Sequence, residues 1–170
     1  MNAPKTAWKG KYLEVKTQGS WEYVSRPAGV SAAVILAIDD GHVLLVEQYR
    51  VPLGRRCIEL PAGLVADETA GEAPLAAAAR ELEEETGYRA GRVESLGVYY
   101  PSPGMTDEHF TLVRATDLTQ VSDGGGVDDE DILVHRVAIA EVPAFIAARR
   151  AAGIAVDVKL WTLLGPSLLG

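Results

Sequence analysis

The stretch Arg80-Glu81-Leu82-Glu83-Glu84-Glu85-Thr86-Gly87-Tyr88 decides how this chain is read, because it sets four carboxylates and an arginine at the end of one expected helix. With about 3.6 residues per turn, positions i, i+3 and i+4 share a face, so Glu81, Glu84 and Glu85 point one way and Glu83 another. Carboxylates at that spacing repel, weakly in water and more strongly on burial, and a divalent cation or a proton relieves the repulsion. An acidic helical run is ordinarily a solvated face laced with lysine and arginine. Here only Arg80 is near, and it reaches Glu84 one turn on without balancing three acids.

The flanks support a loop, helix, loop unit. Pro74 suits a first helical position, Ala76 to Ala79 are strong helix formers, and Gly87 closes the helix in a left-handed conformation, for roughly 13 helical residues. Ala73 is a poor N-cap. Leu75, Ala78, Ala79 and Leu82 give the apolar face that packs on a sheet. Upstream, Glu59-Leu60-Pro61-Ala62-Gly63-Leu64-Val65 ends in a turn signal, and Glu72 stands eight positions before Arg80.

This frame resembles the Nudix box, the signature of hydrolases acting on nucleoside diphosphates linked to another moiety. Gly63, Glu72, Arg80, Glu81, Leu82, Glu84, Glu85, Gly87 and Tyr88 fill its positions in order. The departure is a longer first gap, eight residues between Gly63 and Glu72 instead of five. It falls in Ala66-Asp67-Glu68-Thr69-Ala70-Gly71, where a polar loop tolerates insertion. Glu72 and Glu68 both compete for the loop glutamate's place, and the spacing to Arg80 favours Glu72.

With 170 residues and 48% apolar content, the chain is expected to form a single domain over 1–170, with an N-terminal hairpin arm over about 1–28 and a core over about 29–170. Its single cysteine, Cys57, excludes an internal disulfide and reads as a small buried apolar residue beside Ile58 rather than a nucleophile. Met1 to Val15 carries no apolar signal region, and Val30 to Ile38, the longest nearly apolar run, is too short to span a bilayer, so a cytoplasmic location without membrane attachment is expected. A net charge of -8 argues against non-specific nucleic-acid binding. It leaves room for a polyphosphate ligand, because bound metal ions invert the local charge.

Tyr12 to Thr17 and Trp21 to Arg26 read as a hairpin around Gln18-Gly19-Ser20. Val30 to Ile38 and His42 to Tyr49 read as a second, across the turn Asp39-Asp40-Gly41. Short strand character at Cys57 to Pro61 leads into the box; Arg92 to Tyr100, His109 to Ala115 and Ile132 to Ala138 follow as strands. Helices are expected over Ala140 to Ala152, with Val142, Phe145, Ile146 and Arg149 near helical spacing and Gly153 as the stop, and from Asp157 to about Leu164. Strands and helices without strict alternation indicate α+β. The resemblance implies the same, a Nudix α/β/α sandwich with a mixed sheet.

Two loops add candidates. Tyr100-Pro101-Ser102-Pro103-Gly104-Met105-Thr106-Asp107-Glu108 is a Pro-Gly turn that could wall a pocket, and it is similar to the loop of ADP-ribose pyrophosphatases in which a proline lies a fixed distance beyond the box. Pro103 takes that place, with Gly104 and Glu108 beside it. Ser122-Asp123-Gly124-Gly125-Gly126-Val127-Asp128-Asp129-Glu130-Asp131 reads by composition as a solvated, mobile surface loop. The resemblance implies an essential acid there, Glu130 first and Asp128 second.

A pyrophosphate anhydride resists water because its negative oxygens repel a nucleophile, so cleavage needs cations on the phosphates and a base for the water. Mg²⁺ suits this, with Mn²⁺ as a substitute, since it is shared readily between carboxylates and substrate phosphates. The resemblance implies Glu81, Glu85 and Glu84 as metal ligands with the Ala62 backbone carbonyl, Arg80 orienting the acids, and Glu130 taking the water's proton. For the substrate it implies Trp21 and Tyr12 as stacking aromatics of a homodimer joined through the hairpins, Arg50 and Glu59 near the phosphates and ribose, Arg26 beside them, and Gly63 at the box turn. Trp21 reads equally as an edge-hairpin aromatic and Arg50 as a solvated strand end. The implied reaction is cleavage of ADP-ribose, or of another nucleoside diphosphate sugar such as GDP-mannose. A non-catalytic ADP-ribose sensor would lose box acids and gain a basic DNA-reading helix; here the acids are complete and Asp157 to Gly170 has only Lys159.

Overall fold

The chain opens with a small antiparallel sheet of three strands, β1 (Lys5–Lys9), β2 (Glu14–Gln18) and β3 (Trp21–Ser25), followed by a larger mixed sheet between helices. A computed structural model describes residues 2–26, 30–65, 71–127 and 130–168, with side chains to 165. The expected hairpin is the β2–β3 half of the small sheet. β1 adds a third strand to this hairpin; its five residues are all exposed, so no alternation of burial marks it in the sequence.

The strands β4 (Ser31–Asp39) and β5 (His42–Arg50) form the second hairpin but pair only at its tip, Ile38 with Val43 and Asp39 with His42. Beyond the tip they separate. β4 takes β9 (Phe110–Gln120) in parallel on one side and β7 (Ala62–Val65) antiparallel on the other. β5 takes β10 (Leu133–Ala138) and β6 (Arg55–Glu59), both antiparallel. β8 (Tyr88–Tyr99) and the two-residue β11 (Ala155–Val156) close the outer edges.

The helices cover both faces of this sheet. Ala33, Ile35 and Ala37 of β4 pack with Ala77, Ala78 and Leu82 of α1 (Pro74–Thr86). Val34 on the opposite face packs with Val142 and Ile146 of α2 (Val142–Ala151), while Leu163 and Leu164 of α3 (Trp161–Leu168) lie against the same cluster. A strand between two helical layers has to be apolar on both sides, which accounts for the unbroken run of Val, Ile and Ala in β4. The architecture is the α/β/α sandwich of an α+β fold.

α1 has the expected length, 13 residues, starting at Pro74 and ending on Gly87 at φ 74, whose amide bonds the Glu83 carbonyl at 2.9 Å. Ala73 makes no side-chain cap. The buried stripe differs by one position from the sequence expectation: Ala77 rather than Ala79 is fully covered. The box turn holds a second strand, β7, where one short strand was expected. The last helix starts later than expected, because Asp157 caps a short 3-10 turn, Val158–Leu160, by accepting the Lys159 amide at 2.7 Å. Among the described residues no helix is long and apolar enough to cross a membrane.

Leu82 is fully buried where α1 meets β4 and β9. Truncation there leaves a cavity that close-packed neighbours only partly refill. Leu82→Ala is expected to lower unfolding free energy by about 2 to 5 kcal/mol, read from the urea midpoint at unchanged m-value.

Candidate active site

The last two turns of α1 lie against β7 at a distance only glycine allows. A Cβ on Gly63 would stand 1.9 Å from the Glu81 carboxyl carbon, so Glu81 rests directly on the β7 backbone. One turn on, Glu85 is 5% exposed and its Oε2 accepts the Ala62 amide at 3.0 Å. Burial is the main reason its carboxyl is pushed up to about 8; the negative charges of Glu81 and Glu130 add to this, while the Ala62 amide and Arg50 oppose it.

Arg80 reaches further than its spacing suggested. Its Nη1 lies 2.9 Å from Glu84 and 3.0 Å from Glu81, and its Nε 3.3 Å from Glu72. Glu81 and Glu84 share Arg80, Glu85 turns to the Ala62 amide, and among the described residues no three acid, histidine or cysteine side chains converge on one point. Glu72 bonds Arg80; Glu68, its rival for the loop position, lies outside the described residues. The donors suit a hard divalent cation: they are carboxylate oxygens beside strand backbone, and Glu85 needs an opposing positive charge to ionise near neutral pH.

Ala62 and Gly63 also form the rim of a cleft of about 500 Å³ floored by Ala32 and Val34 of β4, Cys57 of β6 and Phe110 of β9. Its charged lining comes as cation and acid pairs. Arg50 makes a bidentate bond to Glu59 at 2.6 and 2.8 Å, and Glu59 is 4% exposed. A buried carboxylate thus aims Arg50, whose side chain stays 41% exposed. Arg26 pairs with Glu108, and Lys159 with Asp157 at 2.6 Å. Lys159 and Asp157 were not singled out by the sequence, whose one signal was a solitary lysine in an otherwise apolar terminal segment.

The remaining substrate candidates fall elsewhere. Trp21, Pro103 and Gly104 line a separate hollow of about 880 Å³ between the small sheet and the 100–107 loop, together with Tyr23 and Tyr100. Tyr12 lines neither; it is exposed with the Lys11 ammonium over its ring. The small sheet is tied to the loop, since the Val24 amide donates to the Met105 carbonyl at 2.9 Å and the Ser25 hydroxyl to Asp107 at 2.8 Å.

The glycine-rich loop is not a free surface arm. The Gly125 and Gly126 amides donate to the carbonyls of Glu85 and Glu84 at 2.9 and 3.1 Å, which satisfies the open end of α1. Gly87 and Gly124 cross so closely that a Cβ on the first would meet the Ser122 carbonyl at 2.2 Å and on the second the Thr86 backbone at 2.3 Å. Glu130 folds over this crossing, its Oε2 accepting the Val127 amide at 3.1 Å. Asp128 lies outside the described residues.

Known proteins with this pattern can now be compared. A family model described as NUDIX domain matches residues 27–155. The chain is 36% identical over 129 residues to an ADP-ribose pyrophosphatase of Bacillus subtilis, covering 75% of this chain and 67% of that protein. It is also 36% identical over 112 residues to a GDP-mannose pyrophosphatase of Citrobacter koseri, covering 61% of this chain and 56% of that protein. It thus spans little more than half to two thirds of these relatives. A crystal structure of an ADP compounds hydrolase superposes with a TM-score of 0.73 at 23% identity, over 99% of this chain and 92% of that one, and shares the fold.

Cys57 is 3% exposed in the cleft wall, and burial with the nearby Glu59 charge pushes its thiol up to about 12. Only the thiolate is nucleophilic. In the folded protein at pH 8, iodoacetamide is expected to label Cys57 at least about tenfold more slowly than in 8 M urea, as followed by intact mass.

Proposed function

The chain belongs to the Nudix family, and we propose that it hydrolyses the pyrophosphate bond of ADP-ribose to AMP and ribose 5-phosphate, with Mg²⁺ as cofactor and Mn²⁺ as a working substitute. One observation supports this above others: at Ala62 and Gly63 the carboxylates of α1 reach the rim of a cleft that holds Arg26 and Arg50. A diphosphate laid there has cations along its length and acids at one end.

The geometry is compatible with the following roles. Arg50, aimed by Glu59, and Arg26, aimed by Glu108, receive the phosphate oxygens. Glu81 and Glu85, with Glu84 and the Ala62 carbonyl, would hold the divalent cation, which would supply charge neutralisation on the diphosphate and lower the pKa of water. Arg80, braced by Glu72, keeps Glu81 and Glu84 in register. Glu130 accepts the water's proton, with Asp128 as the alternative base on the same loop.

The nucleoside end rests on Trp21 and the Pro103-Gly104 wall, where an exposed indole face suits a purine. Tyr12 lies away from this hollow, so a stacking role for it requires a second copy. We accordingly place the arm of about residues 1–28 in a homodimer that pairs small sheets around the core of about 29–170.

GDP-mannose remains a second substrate reading, because the two relatives named for different sugars are equally identical to this chain. Turnover of a nucleoside diphosphate sugar panel with Mg²⁺ is expected to be fastest on ADP-ribose, with AMP and ribose 5-phosphate as the products by chromatography. Faster cleavage of GDP-mannose selects the second reading. Glu85→Gln is expected to lower the rate by at least about 100-fold, near 3 kcal/mol of barrier. A rate within threefold of the parent, less than about 1 kcal/mol, removes Glu85 from the metal site.

A further inference from the structure

Arg56, on β6, stands behind the acidic loop rather than in the cleft. Its Nη1 bonds the Asp131 carboxylate at 2.7 Å, and its Nη2 donates to the Asp131 carbonyl at 2.9 Å and to the Glu47 carbonyl at 3.0 Å. Its Nε lies 3.2 Å from the Glu47 carboxylate, close enough for an ion pair though not aligned as a hydrogen bond. Glu47 is 3% exposed and is also approached by His135 at 3.2 Å and Arg149 at 3.5 Å. One buried carboxylate therefore joins β5, β6, β10 and α2. Such a group is rigid, because moving any partner strands a charge.

The Asp131 side chain is 75% exposed, so its ion pair adds little stability in itself. What the guanidinium does is grip the backbone of residue 131, next to Glu130. On its other side the loop is fastened to α1 by the Gly125 and Gly126 amides. Glu130 sits between the two anchors, its Oε2 only 2.4 Å from where a Gly126 Cβ would stand. Among the described residues no side chain other than Arg56 bonds the Asp131 backbone.

We propose that Arg56, backed by buried Glu47, is a positioning residue that holds the Glu130 loop at the distance from α1 that proton transfer requires. This rests on the reading of Glu130 as the proton acceptor. Arg56 touches neither substrate nor metal; it acts through residue 131. Lysine keeps the charge but lacks the fork that spans strand and loop.

A double-mutant cycle on the full-length protein tests it, with ADP-ribose and saturating Mg²⁺. Arg56→Lys is expected to lower kcat by about tenfold with KM within about twofold, as misplacement of a catalytic group does. Glu130→Gln lowers kcat by at least about 100-fold. The combined variant is expected to be no slower than Glu130→Gln alone, because a residue acting only through Glu130 has nothing left to position. Backbone amide exchange at 125–127 should quicken in Arg56→Lys while the interior of α1 stays protected. Multiplying losses, or unchanged kcat in Arg56→Lys, overturns the inference while leaving the reading of Glu130 intact. Unchanged kcat in Glu130→Gln overturns both. Should Arg56→Lys fail to fold, Arg56→Gln, whose neutral amide can donate but lacks the fork, carries the same cycle, with an expected loss of at least about threefold that vanishes in the Glu130→Gln background.

Discussion

The close approach of α1 to β7 is the constraint on which the rest of the structure depends. Gly63 leaves no Cβ between them, Glu81 fills the space, and Glu85 is drawn inward to the Ala62 amide. The same helix buries Ala77, Ala78 and Leu82 against β4 and β9. A single apolar stripe thus anchors the helix, and the polar edge next to it is delivered to the cleft rim without a loop to blur its position. Glu85 is costly to bury as a carboxylate. The fold tolerates it because apolar packing on the neighbouring face far outweighs one strained carboxyl.

The cleft handles charge in a related way. Arg26, Arg50 and Lys159 each have an acid of their own, and the bidentate pair, Arg50 with Glu59, rests on a carboxylate that is almost fully buried. Pairing limits how strongly any one cation attracts an anion. It also removes rotamer freedom from long side chains before a ligand arrives, so less ordering remains to be done on binding. In a chain of net charge -8, local pairs of this kind keep a phosphate-sized opening from being ringed by acids alone.

Much of this was legible in the sequence where local chemistry punctuates the chain. Pro74 and Gly87 bound α1 to the residue, and the apolar run of β4 foretold a strand covered on both faces. Glu72 was placed by its distance to Arg80. What could not be read depends on partners remote in the chain. β1 is exposed throughout and carries no periodic signal. Glu47 looks like the polar end of a strand until His135 and Arg149, far along the chain, close on it. The glycine loop has the composition of a solvated arm, and only the free carbonyls at the end of α1 turn it into a cap. Trp21 stands on β3 but Tyr12 lies in the connection between β1 and β2, so the two do not share one hollow.

The proposed assignment of the proton acceptor to Glu130 puts that group on a loop rather than on α1, and helix geometry gives a reason. The helix fixes the acids on the cleft edge of α1: Glu81 and Glu84 lie beside Arg80, and Glu85 accepts the strand amide. Another carboxylate on that helix would be locked to the same spacing, and one next to Glu85 would be pressed toward its neutral form by the charges already there. A loop approaching from the far side escapes the helical repeat and can set its own distance. Mobility is the cost of that freedom, and two anchors offset it: backbone amides on the helix terminus and a guanidinium rooted in the buried Glu47 cluster. The loop is thereby joined to the end of α1 on one side and to the Glu47 cluster of β5, β6, β10 and α2 on the other.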